Sequence, residues 1–105
     1  MYEVNHAHTD NGVDLYQAWL DSLRDTKAKA RITTRVERAA QGNFGDSEPV
    51  GEGVSELKFH FGPGYRVYYV ISGGEILLLL GGGTKQRQQN DIEQAIQIWR
   101  AIKGD

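Results

Sequence analysis

The chain has 105 residues, 39% of them apolar, and a formal charge of −2. That length suits one domain spanning residues 1–105 with one modest core. The absence of cysteine excludes a disulfide framework and a thiolate metal site, and the net acidity argues against a general nucleic-acid coat. No stretch has the make-up of a signal peptide, and the longest apolar run, Ile76–Leu80, is too short to span a bilayer, so a cytoplasmic chain without membrane contact is expected.

Met1–His6 reads as a short strand with Tyr2 and Val4 on one face. His6, His8 and Asp10 alternate there, but zinc generally takes three or four protein ligands, so no metal site is expected. Asp10-Asn11-Gly12 marks a turn and a helix entry. Tyr16, Trp19, Leu20 and Leu23 then recur at helical spacing, which predicts a helix over Val13–Arg24. A second helix follows over Lys27–Gln41, with Ala28, Ile32, Val36 and Ala39 as its apolar stripe and Gly42 as its stop.

Charge is unevenly placed. Residues 1–23 carry four acids and no Lys or Arg, whereas the second helix carries Lys27, Arg31, Arg35 and Arg38 within a narrow arc. That stripe is either a solvated face or a docking surface for phosphates or an acidic partner. The stretch 43–53 shows no periodicity and reads as a loop.

The stretch from Val54 to Lys85 organises the rest. Val54–Phe61, Tyr65–Ile71 and Glu75–Leu80 are strand-length runs separated by Gly62-Pro63-Gly64 and Ser72-Gly73-Gly74, the pattern of an antiparallel meander. The third run is followed by Gly81-Gly82-Gly83, read as a flexible loop, and then by Lys85 and Arg87. By alternation Leu57, Phe59, Phe61, Tyr65, Val67 and Tyr69 face the helices. Lys58, His60, Arg66 and Tyr68 take the opposite, open face. Ile92, Ala95, Ile96, Trp99 and Ile102 predict a closing helix over Asn90–Ile102, capped by Asn90 with Glu93. The class is α+β.

A cationic face with aromatics suits single-stranded RNA, where Lys and Arg neutralise phosphates and Tyr stacks on a base. Metal-free cleavage of RNA needs a base for the 2′-hydroxyl, a cation for the developing charge and an acid for the leaving oxygen. Arg66 suits the cation, Lys58 the base if neighbouring cations depress its pKa, and His60 either proton-transfer role near neutral pH. Lys85, Arg87 and Tyr68 are the expected RNA-binding residues.

Several segments resemble the addiction-module killer proteins, HigB-like toxins of type II toxin–antitoxin systems in the RelE/ParE superfamily. They are Arg31-Ile32 with Arg35-Val36, Gly42-Asn43-Phe44-Gly45-Asp46, Gly51–Lys58, Gly62-Pro63-Gly64-Tyr65-Arg66-Val67-Tyr68-Tyr69, and Leu77–Gly83 with Lys85. The resemblance implies a helical hairpin packed on a twisted antiparallel sheet of three to four strands, plus a C-terminal helix. It implies a ribosome-dependent mRNA endonuclease that needs no cofactor and is neutralised by a cognate helix-turn-helix antitoxin. Arg66 matches the family's phosphate-contacting arginine, Lys58 a catalytic lysine, and Lys85 and Arg87 the basic segment after the last strand. Lys27, Arg31, Arg35 and Arg38 are candidates for the partner surface. The family's Tyr or His near the start of the last helix has no counterpart in Gln88–Ile92, which leaves two other readings: a non-enzymatic gyrase inhibitor of the ParE kind, or an antitoxin-binding protein that has lost catalysis.

Overall fold

The computed structural model describes residues 1–104. Its elements run β1 (Glu3–His6), α1 (Leu15–Ser22), α2 (Thr26–Ala40), β2 (Ser47–Gly51), β3 (Val54–Lys58), β4 (Tyr65–Ser72), β5 (Ile76–Thr84) and α3 (Gln88–Lys103), with a 3-10 turn at Lys85–Arg87 before α3. One sheet of five strands has the order β1-β5-β4-β3-β2. β2 to β5 pair antiparallel, while β1 lies parallel to β5, with Glu3 opposite Ile76 and His6 opposite Leu79. The sheet is therefore mixed and has five strands, where an antiparallel one of three to four was expected.

The added strand is β2, inside the stretch read as a loop. Its sequence, Ser47-Glu-Pro-Val-Gly51, has no apolar alternation, and Pro49 lacks an amide donor. It is a strand because β3 supplies the ladder, and its edge position is the one place a proline is tolerated.

The first two helices begin on aspartates. Asp14 caps α1, its carboxylate accepting from the Gln17 amide at 2.9 Å. Asp25 caps α2, accepting from the Lys27 and Ala28 amides at 3.0 and 3.1 Å. Such caps are each worth about 1 kcal/mol. The apolar stripe of α2 is buried as its spacing requires: Ala28, Ile32, Val36 and Ala39 join Tyr16 of α1 and Leu57, Phe59, Val67, Tyr69, Leu77 and Leu79 of the sheet side in one core.

The opposite face is not open along its length. Ala95, Ile92, Ile96, Ile98 and Trp99 of α3 pack there against Val54, Tyr68, Val70 and Leu80. α3 begins at Gln88 rather than Asn90, and Asn90 is an interior helical residue rather than a cap. This second core explains why β5 is apolar at both parities: Leu77 and Leu79 face one helical layer, Leu78 and Leu80 the other.

Gly81-Gly82-Gly83 lies within β5 and is not a loop. A register shift at Tyr68/Tyr69 leaves Leu80 without a partner between Leu79 and Gly81. Beyond it the helices approach the strand so closely that only glycine fits. A Cβ on Gly82 would stand 2.2 Å from the Trp19 ring of α1, and one on Gly83 would stand 1.9 Å from the Asp91 carboxylate of α3. Gly82 and Gly83 are thus packing devices between the two layers.

Candidate functional site

β3 and β4 end side by side at the edge of the area α3 covers. Lys58 is directly opposite Arg66, and Arg66 is opposite Gly83, so all three lie on one face. The turn Gly62-Pro63-Gly64 closes this end. The Gly64 carbonyl accepts from the Lys85 amide at 2.8 Å and from Arg66 Nη1 at 3.1 Å. Gly64 has φ +76°, and its Cα approaches so near Lys85 that a side chain there would be 3.1 Å from the Lys85 Cβ. The strands and the turn together form a groove of about 600 Å³ whose walls include Lys58, His60, Arg66 and Lys85, with Glu48 and Glu56 among them.

Four of the expected site residues thus come together. The environments of Arg66, Lys58 and Tyr68 differ from the expectation. Arg66 is not on an uncovered surface: the residue is only 6% exposed. Its Nη1 donates to the carbonyls of Gly64 and Tyr65, and its Nε has no hydrogen-bond partner and faces Glu56 Oε1 at 3.8 Å. Glu56 is 2% exposed, and both its oxygens accept from Gln88 Nε2, at 2.9 and 3.0 Å.

Lys58 is not a depressed-pKa base. Glu48 on β2 reaches its Nζ at 2.9 Å. That hydrogen bond holds the Lys58 ammonium above its ordinary pKa, more than burial lowers it, with Glu48, Asp46 and Glu56 charges adding to the rise. The ammonium therefore stays protonated at neutral pH.

Tyr68 is not a stacking platform for a base, because it is 1% exposed inside the α3 core. Its hydroxyl has no hydrogen-bond partner, and burial, then the Glu56 charge, drives its pKa far above the ordinary phenol value. Arg87 stands apart from the Lys58–Arg66 pair, in a shallow depression with Asn90, Asp91 and Glu93 of α3.

The basic stripe of α2 divides into different roles. Arg35 is largely a structural clamp. Its Nη1 donates to the Lys58 carbonyl at 2.9 Å, its Nη2 to the carbonyls of Phe44 and Asp46 at 3.3 and 3.2 Å, and its guanidinium lies 4.6 Å from the Phe59 ring centroid. Burial lowers its pKa from the ordinary arginine value, which leaves it fully charged. Arg31 is exposed, and its guanidinium carbon lies over Phe61, 3.7 Å from the ring centroid. Arg38 is exposed near the end of α2, and Lys27 is exposed at its start.

Two partners were not visible in the sequence. Asp46 forms a short hydrogen bond with His60 Nε2, and that bond holds its carboxyl below the usual range. Glu48 neutralises Lys58. Both come from the segment around β2, which pairs with β3, so only recognition of that strand places them beside the site. The Gly-Asn-Phe-Gly-Asp segment that carried part of the resemblance delivers Asp46.

His6 meets the Asp14 carboxylate through Nδ1 at 2.6 Å. Among the described residues no group of three or more His, Asp or Glu is arranged to hold a metal ion, and no helix is long and apolar enough to cross a membrane.

No family model matches the chain. Over 80 residues it is 44% identical to an uncharacterized protein of Haemophilus influenzae, an alignment covering 76% of this chain and 81% of that one. The chain belongs to the same family as that protein.

Proposed function

We propose that this protein is the toxin of a type II toxin–antitoxin pair and cleaves mRNA at the groove between the β3–β4 ends and the Gly62–Gly64 turn. The observation that carries the reading is the convergence of Lys58, His60, Arg66 and Lys85 on that one groove. Their roles follow from their surroundings. Lys58 is kept protonated by Glu48, so it supplies positive charge and a proton to the leaving oxygen. His60 donates Nε2–H to Asp46, which leaves Nδ1 as the basic nitrogen for a ribose 2′-hydroxyl. Arg66, fixed by two carbonyls, supplies a preorganised charge to the phosphate. Lys85 holds an adjoining phosphate. This exchanges the expectation of a lysine base for a histidine base.

A specific observation favours a second reading, an antitoxin-binding protein without catalysis. Glu48 and Glu56 already occupy positions beside Lys58 and Arg66, and a substrate phosphate has to compete with them. Controlled expression in a bacterial host decides between the two. A nuclease arrests growth and leaves mapped 5′ ends within translated messages, and His60→Ala removes both effects. Intact messages with unchanged growth, together with tight binding of the product of a neighbouring gene, would select the second reading.

A further inference from the structure

The groove at Lys58 is one of two that share a wall. A second groove, of about 530 Å³, runs from His60 and Lys58 along the exposed side of α2 past Arg31, Arg35 and Arg38. Lys58, Phe59 and His60 line both. The basic stripe of α2 and the strand-end site, read as two separate surfaces in the sequence, therefore adjoin, with Asp46 among the cations of the α2 groove and Glu48 and Glu56 among those of the other.

The side chains of the second groove differ in availability. Arg35 spends its donors on the carbonyls of Phe44, Asp46 and Lys58. Among the described residues neither Arg31 nor Arg38 has a carboxylate within ion-pair distance. The Arg31 guanidinium carbon lies over Phe61, 3.7 Å from the ring centroid, a contact that holds an exposed cation beside the groove while its N–H donors can still meet an anion.

We infer that the α2 groove is a second subsite for the same single-stranded RNA, with Arg31 and Arg38 neutralising phosphates on the side of the cleavage position remote from Lys85. The inference rests on the nuclease reading of the central groove, and it adds that a productive substrate has to extend along α2. The shared wall and the unpaired Arg31 and Arg38 favour RNA as the occupant, because the cations of both grooves then serve one polyanion.

The test uses an uncleavable 2′-O-methyl RNA twelve nucleotides long and a trinucleotide of the same chemistry, with affinities read by fluorescence anisotropy across a salt series. The Arg31→Ala/Arg38→Ala protein should bind the trinucleotide as the unaltered protein does. It should bind the longer strand more weakly, with a log–log salt slope lower by about 1.4, or about 0.7 per lost contact. Arg31→Lys, which keeps the charge and loses the planar fork of N–H donors, should recover the slope but only part of the affinity. Lys58→Ala/Lys85→Ala should weaken both ligands. An unchanged slope and affinity for the longer strand in Arg31→Ala/Arg38→Ala would overturn the inference while leaving the central groove in place. Competition by poly-glutamate as effective as that by RNA would overturn it in favour of an acidic protein partner. Loss of RNA binding in the α2 variant but not in the Lys58/Lys85 variant would instead remove the central-groove reading.

Discussion

Lys58 and Arg66 stand directly opposite each other in the β3–β4 ladder, and each has a carboxylate of its own: Glu48 lies 2.9 Å from Lys58 Nζ, and Glu56 lies 3.8 Å from Arg66 Nε. Two adjacent cations on one face repel, and the two acids offset that repulsion. The pairs are unequal. Glu56 is buried and fixed by Gln88, whereas Glu48 sits exposed on the edge strand. On the proposed reading, Glu48 is therefore the one a phosphate would displace.

Glu48→Gln should accordingly tighten RNA binding by about two- to fivefold at low salt, the scale of an exposed ion pair. It should also lower the Lys58 pKa toward the ordinary lysine value, because the Glu48 hydrogen bond is the largest cause of its rise. Anisotropy titration and an NMR titration of the Lys58 ammonium check the two effects.

Arg35→Ala should destabilise the fold by about 2 kcal/mol, because it leaves three carbonyls short of a charged donor and uncovers Phe59. Urea unfolding measures this. A neighbour on the same stripe gives the contrast: Arg38→Ala should change stability by less than about 0.5 kcal/mol.

Tyr68→Phe should be neutral or stabilising by about 1 kcal/mol, because it removes a buried hydroxyl that has no partner. RNA affinity should be unchanged, since the ring is enclosed by the α3 core. A loss of affinity in this variant would restore the stacking role that the sequence suggested.

The acid side of the pH profile follows from Asp46. Its pKa is depressed in the folded protein, first by the His60 hydrogen bond. The favourable contribution is therefore present above the unfolded carboxylate pKa of about 3.9 and is lost as pH falls through the lower folded value. Carboxyl NMR should place the Asp46 midpoint below that of an ordinary aspartate, and His60→Ala should return it upward.

Gly82→Ala should cost about 3 kcal/mol or abolish folding, because its Cβ would enter the Trp19 ring. Circular dichroism during thermal unfolding reads the change. Combining it with Trp19→Ala should recover part of the loss, since the clash and the ring disappear together.

Much of the frame was legible in the residues themselves. The α2 stripe Ala28–Ile32–Val36–Ala39 and the alternation through Leu57, Val67 and Tyr69 report directly which face is buried, and all of these residues lie in the main core. Local periodicity cannot reveal β2, whose strand character comes from β3 across the ladder and not from its own Ser-Glu-Pro-Val-Gly sequence. Missing β2 hides Asp46 and Glu48, and with them the direction of the Lys58 pKa shift. Parity placed Lys58, Arg66 and Tyr68 on one face correctly. It carried no information about how far α3 extends over that face, which is why Arg66 and Tyr68 are buried and Lys85 is exposed. The glycine run was ambiguous for a related reason: a glycine that makes room for Trp19 or Asp91 has the same letter as one that makes a loop.

Incubating the purified protein with ribosomes translating a defined message, and mapping the 5′ ends of the products, measures the claim on which the assigned roles converge. The unaltered protein should generate discrete ends within translated codons, Lys58→Ala and His60→Ala should each lower the rate by at least about a hundredfold, and Glu48→Gln should retain cleavage. Cleavage that survives unchanged in both Lys58→Ala and His60→Ala, or an intact message with the unaltered protein, would contradict it.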